Sequence, residues 1–177
     1  MPSHLTIRYA NLEDVDALAA LAAKAFSDTY HGLDDPQEIA DYVAENFNRQ
    51  AVASVVSDPN ATTLLAEVGT ELAGYAVLAR SEPPSCVSEP SPIELARFYL
   101  AEHFIGQGYG AQLMLAVHRE ARRQGAQSLW LGVYDRNVRA VSFYERSGFT
   151  RCGGKEFIFG GRLYIDPIYA SPVRNDA

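Results

Sequence analysis

The sequence predicts an α+β fold: a single domain over residues 1–177, built on a mixed, mostly antiparallel sheet of about seven strands with a central βαβ unit flanked by helices. Three observations predict it. Strand-like runs pair as hairpins in the first half (Thr62–Glu67 with Glu71–Arg80 across Gly69-Thr70) and again at the end (149–159 with 162–170 across Gly160-Gly161). Between them lies one strand–helix–strand run, whereas a doubly wound sheet needs strands and helices to alternate throughout. The length, 177 residues, is that of one ordinary domain.

The elements follow in order. Leu5-Thr-Ile-Arg-Tyr9 alternates like a strand. Asn11 can cap a helix whose apolar positions Leu12, Val15, Leu18, Ala19, Ala22, Ala25 and Phe26 keep helical spacing, with Asp14 near its start. Pro36 opens a second helix through Ile39, Ala40, Val43 and Ala44, and a third covers 49–57, stopping before Asp58-Pro59-Asn60. After the first hairpin, Ser81–Pro92 is rich in Ser and Pro and reads as a surface loop. Ile93–Leu100 reads as a strand, Gly108–Gln124 as a helix, Gln127–Tyr134 as a strand and Asn137–Arg146 as a short helix ahead of the closing hairpin.

Composition excludes several classes. Hydrophobic residues make up 47% and charged residues 21%, enough to bury a real core. No run of 18 apolar residues exists, so no transmembrane helix and no membrane partner are expected. Glu13, Asp14 and Asp16 stand where a signal peptide needs an apolar run, which predicts a cytoplasmic location. Cys86 and Cys152 are far apart and lack paired-thiol spacing, so they read as two reduced, incidental thiols. His4, His31, His103 and His118 lack metal-ligand spacing, and no metal is expected.

The net charge of −7 argues against nucleic acid as a partner. Its distribution says more. Residues 1–47 hold nine acids against Arg8 and Lys24, and residues 48–177 hold thirteen of each sign, so the whole excess sits at one end. That end can draw a cationic ligand, or it can serve only as a solubilising helix face.

The most specific local feature is Ile105-Gly106-Gln107-Gly108-Tyr109-Gly110-Ala111, which joins a strand to a helix. Alternate glycines remove Cβ atoms where the backbone must approach something closely, and the helix that follows aims free N–H groups and its positive dipole end outward. Such a turn suits a pyrophosphate. Gly106-x-Gly108-x-x-Ala111 also fits a permissive dinucleotide fingerprint, with Asp135 at the end of the next strand for a ribose. The remainder after Asp135 is too short for a nucleotide fold of alternating strands and helices.

Together with this turn, stretches in matching order over nearly the whole chain resemble the GNAT N-acetyltransferase superfamily. Thr6-Ile-Arg-Tyr-Ala-Asn-Leu-Glu-Asp14 is similar to the family's first strand and helix start, and Glu94-Leu-Ala-Arg-Phe-Tyr-Leu100 to its central strand. The family's loop falls on Ile105, Gly108 and Gly110, with Ile105 standing where the family usually carries a polar or cationic side chain. Asn137-Val-Arg-Ala-Val-Ser-Phe143-Tyr144-Glu-Arg-Ser-Gly148-Phe149 matches the family's late helix. The ending, Lys155 to Tyr169 with Asp166, resembles the bacterial PaiA-type spermidine/spermine branch.

The resemblance implies acetyl-CoA as acetyl donor, no metal, and a primary amine as acceptor: a small cationic molecule such as a polyamine, taken by a monomer or homodimer. Other readings are a protein or peptide amine as acceptor, and a non-enzymatic acyl-CoA-binding protein. The backbone of Phe98, Tyr99 and Leu100 is implied to pair with the pantetheine amides. Backbone N–H groups from Ile105 to Ala111 are implied to hold the pyrophosphate. Asn137 is implied to touch the pantetheine arm, and its position also suits an N-cap. Tyr144 stands where the family's thiolate-protonating tyrosine stands, or else packs in the core beside Phe143.

The resemblance also implies Glu94 as general base through water, since it lies eleven residues before Ile105, where several family members place a basic carboxylate on the central strand. Alternation puts it on one face with Ala96, Phe98 and Leu100, opposite Leu95, Arg97 and Tyr99, and apolar neighbours there would raise its pKa toward neutrality. A strand-edge ion pair is its other reading.

Overall fold

The computed structural model describes residues 4–175. Its elements are β1 (Leu5–Tyr9), α1 (Val15–Tyr30), α2 (Pro36–Asn46), α3 (Arg49–Ser57), β2 (Ala61–Val68), β3 (Glu71–Ala79), β4 (Pro92–Leu100), α4 (Tyr109–Arg123), β5 (Ser128–Gly132), α5 (Val138–Arg146), β6 (Thr150–Phe159) and β7 (Arg162–Pro172). Short 3-10 turns cover Leu12–Asp14 and Glu102–Phe104. The strands hydrogen-bond in the order β1-β2-β3-β4-β5-β7-β6. β4 and β5 run parallel, and β1–β2, β5–β7 and β6–β7 are antiparallel. This is the mixed seven-stranded α+β sheet that the two hairpins and single βαβ unit predict.

Two compact units divide the chain, one of residues up to Val77 together with Arg97–Leu113, the other of Leu78–Ala96 together with residues from Met114 on. In the first unit, local chemistry fixes the helix starts. The Asn11 side chain accepts from the Glu13 N–H, and the Asp14 carboxylate accepts from the Asn11 N–H at 2.8 Å, a reciprocal cap. The cap closes a 3-10 turn first, so α1 begins at Val15 and not at Leu12 as the apolar spacing suggests. Arg8 on β1 then grips Asp14 at 2.8 Å and Glu67 of β2 at 2.7 Å. Its guanidinium holds the Asp14 carboxyl below the usual range. Asp35 caps α2 and Asn48 caps α3. α1 buries Val15, Leu18, Ala22, Ala25 and Phe26, while β2 and β3 bury Leu64, Leu65, Ala73 and Tyr75.

In the second unit Leu129, Trp130 and Leu131 of β5 are fully buried, as are Val117 and His118 of α4 and Ile168 of β7. β5 ends at Gly132, two residues before the expected Tyr134, although Val133 still donates to the Pro167 carbonyl at 3.1 Å. The two cysteines, expected to be unrelated, meet in this unit with their sulfurs 3.3 Å apart.

Candidate functional site

The glycine turn belongs to the first unit and is built almost wholly from backbone. Its entry is the Glu102–Phe104 3-10 turn, pinned by the Phe104 N–H on the Ala101 carbonyl at 2.9 Å and by the buried Phe104 ring against Tyr109, with centroids 5.8 Å apart. Gln107 Nε2 reaches back to the His103 carbonyl at 2.6 Å. Gly106 and Gly108 then take φ of 83° and 84°, a region that side chains rarely enter, and nothing lies within 4 Å of where a Cβ would stand at either. The requirement for glycine is therefore conformational, and the space over the turn is open.

α4 starts at Tyr109, with the Gln112 N–H on the Gly108 carbonyl as an early helical bond. The N–H groups of the first helical turn have no partner within the helix, and the positive dipole end coincides with them. An exposed turn of this kind can hold an anion such as a phosphate. Ile105 departs from expectation: its N–H is committed to the Glu102 carbonyl at 3.1 Å, closing the 3-10 turn, so the donor set consists of the glycines and residues after them.

Also in the first unit, the end of β4 is fitted tightly onto β3. A Cβ on Gly74 would collide with the Leu100 side chain and stand 2.6 Å from the Tyr99 carbonyl oxygen, and the Ala101 N–H bonds to the Ala73 carbonyl at 2.8 Å. Gly74 thus lets the Phe98–Leu100 backbone lie where it does. Arg97 and Tyr99 share a face, as alternation predicts, and meet an aromatic cluster that sequence reasoning missed. Tyr99 stacks with Tyr75 at 5.9 Å and approaches Phe26 at 6.5 Å, Phe26 stacks with Tyr42 at 4.8 Å, and the Arg97 guanidinium lies 4.8 Å from the Phe47 centroid. Burial pushes the Tyr99 phenol up to about 12. The i, i+4 pair Phe26 and Tyr30 on α1 is the local signal; Tyr42 on α2 and Phe47 at its C-cap, five positions apart, join the cluster only through the fold.

Acidic residues of this unit divide in two. Asp14, Asp16 and Asp28 are matched by Arg8, Arg49 and Lys24. On α2, among the described residues, Glu38, Asp41 and Glu45 form no ion pair, and their three- and four-residue steps place them along one stripe of the helix.

The second unit carries the other three candidates. Glu94 is half-buried on β4, opposite Trp130 in the parallel register, and accepts a short hydrogen bond from the Ser81 hydroxyl. Its neighbour on that face, Ala96, is exposed, while the buried Trp130 stands opposite Glu94 and the Ser81 hydroxyl donates to it. Ser81 lies thirteen positions away, and no spacing rule connects the two.

Asn137 caps α5 through the Ala140 N–H at 3.2 Å. Tyr144 is buried, 8% exposed, with its ring edge-on to Phe143 at 5.6 Å and to Phe149 at 5.8 Å. On β7, burial and then Asp135 push the Asp166 carboxyl up to about 6. Among the described residues no group of His, Cys, Asp or Glu is placed to hold a metal ion, and no helix is long and apolar enough to cross a membrane.

Comparison with known proteins places this arrangement. A family model described as acetyltransferase (GNAT) family matches residues 16–149. A protein of Mycobacterium tuberculosis, described as an uncharacterized N-acetyltransferase, is 34% identical over 157 residues, 89% of this chain and 96% of its own. A spermidine N(1)-acetyltransferase of Thermoplasma acidophilum is 24% identical over 160 residues, 87% of this chain and 94% of its own. Among solved structures, the PaiA N-acetyltransferase from Thermoplasma acidophilum in complex with coenzyme A superposes with a TM-score of 0.79 at 21% identity, covering 96% of this chain and 99% of that one.

Proposed function

This chain belongs to the GNAT acetyltransferase family and is an N-acetyltransferase, and from that premise we propose that it moves the acetyl group of acetyl-CoA onto a primary amine of a small polycation such as spermidine or spermine. The observation that carries the donor half is the open, positive-φ glycine turn at the start of α4, whose backbone donors suit the pyrophosphate of coenzyme A. Acetyl-CoA supplies an activated thioester, and this chain's residues orient it and manage protons. In this reading the N–H groups from Gly106 to Ala111 hold the pyrophosphate, and the Phe98–Leu100 backbone, seated by Gly74, pairs with the pantetheine amides. The Tyr144 phenol, its ring fixed between Phe143 and Phe149, gives a proton to the departing thiolate. Glu94, oriented by Ser81, takes the amine proton through a water. Asn137 sets the start of α5 and is the residue this reading assigns to the pantetheine arm.

The acceptor half is supported by the acidic stripe of Glu38, Asp41 and Glu45 on α2, in which Asp41 accepts from Gln37 Nε2 and none forms an ion pair among the described residues, and by the name of the Thermoplasma relative. A like-charged stripe costs the helix a few tenths of a kcal/mol per pair, a cost that an approaching cation would relieve. The test is thiol release from acetyl-CoA with spermidine, spermine, a monoamine and an N-terminal peptide as acceptors. Polyamines are expected to win at low salt and to lose part of their lead as salt rises. Glu38→Gln with Asp41→Asn and Glu45→Gln should raise the spermidine KM by about three- to tenfold and leave the monoamine unchanged. Equal use of monoamine or peptide at every salt concentration overturns the polyamine acceptor and leaves the acetyl transfer standing.

A further inference from the structure

The segment 80–91, between β3 and β4, has Cys86 at its centre, and Cys86 is held in place from both sides. Val87 donates to the Pro84 carbonyl at 2.9 Å, and its side chain is buried against Trp130 and Ile168 with Cys86 and Ala170 packed on the same cluster. On the edge strand β6 the register with β7 runs Thr150↔Ala170, Arg151↔Tyr169, then Gly153↔Ile168. Cys152 is therefore the extra residue of a bulge, a feature that re-aims a side chain. The next residue, Gly153, does not need its glycine for a positive φ; a Cβ there would stand 2.8 Å from both Cβ and Sγ of Cys86. An apolar anchor, a bulge and a missing side chain thus converge on one point, where two thiols 66 positions apart in sequence come within 3.3 Å.

We propose that Cys86 and Cys152 form an oxidation site, closing a disulfide that clamps the 80–91 segment onto β6. With a small-molecule disulfide such as oxidised glutathione as oxidant, the thiolate of the exposed Cys152 attacks one glutathione sulfur, the glutathione S–S bond breaks, and one glutathione leaves as thiolate. The Cys86 thiolate then attacks Cys152 Sγ of the mixed disulfide and expels the second glutathione. Two electrons pass from the cysteine sulfurs to the oxidant, and the two cysteine protons end on the released glutathiones. Burial and contact with Cys86 push the Cys152 thiol up to about 11, so the attacking thiolate is scarce at neutral pH and closure speeds up as pH rises.

The experiment treats the full chain with oxidised glutathione and reads it by non-reducing peptide mass spectrometry and thermal melting. An intramolecular Cys86–Cys152 peptide is expected, with a melting temperature higher by roughly 5 °C or more that dithiothreitol reverses, because the bond closes a long loop. Cys86→Ser should trap a lasting glutathione adduct on Cys152. Gly153→Ala, by displacing Cys86, should slow closure several-fold while the chain stays folded. Adducts on both cysteines with no link between them, or links only between molecules, overturn the proposal. So does a link that forms as fast in Gly153→Ala as in the parent.

Discussion

Two stretches carry most of the proposed chemistry, and they are built in opposite ways. The turn from Ile105 to Ala111 offers backbone: positive φ at two glycines and open space above them at the start of a helix. The stretch from Asn137 to Phe149 works through side chains, and those side chains already satisfy one another, Asn137 by capping α5 and Tyr144 by packing between two rings. In the first, the proposed donors belong to the backbone. In the second, each proposed functional side chain also has a structural duty, so a substitution there must separate the two.

The largest effect is expected in the turn. Gly108→Val forces a β-branched residue to φ 84° and fills the open space, so coenzyme A binding should fall by about a hundredfold or more in calorimetry while the circular dichroism spectrum stays native. Binding equal to the parent's would break the comparison. Tyr144→Phe keeps the ring and removes only the hydroxyl. If the phenol protonates the thiolate, kcat should drop by roughly ten- to a thousand-fold with little change in coenzyme A affinity, whereas a purely packing role predicts unaltered turnover.

Asn137→Ala should cost about 1 kcal/mol through the lost cap, seen as a melting temperature lower by roughly 2–4 °C. A loss of coenzyme A affinity beyond that would give its side chain a second duty. The smallest effect is a pH effect at Asp166. Its carboxyl is raised to about 6, so the folded state binds the proton more tightly than the unfolded chain does. Stability is therefore lost as pH rises from the unfolded value near 4 through about 6, and the penalty is complete above that. Asp166→Asn should raise the melting temperature slightly at pH 7.5 and have no stabilising effect at pH 4.

Much of this was legible in the sequence because the signals are local. Asn11 and Pro36 announce helix starts, Gly69 and Gly160-Gly161 announce hairpins, and the glycine spacing at 106 and 108 marks a turn that only glycine can make. What escaped depends on geometry that no window contains. The 3-10 turn at Glu102–Phe104 takes the Ile105 N–H out of the donor set. Ser81 reaches Glu94 across a loop, and Arg97 enters a ring cluster assembled from α1, α2 and β4. The Cys86–Cys152 contact needs a one-residue bulge and a glycine with no conformational reason to be one.

The central claim is that backbone donors of the glycine turn bind the pyrophosphate of coenzyme A. The most direct measurement titrates coenzyme A and pantetheine, which lacks the pyrophosphate, into the parent and into Gly108→Val. The account predicts that the variant loses affinity for coenzyme A by about a hundredfold while its affinity for pantetheine matches the parent's. Equal losses for both ligands, or none for either, would contradict it.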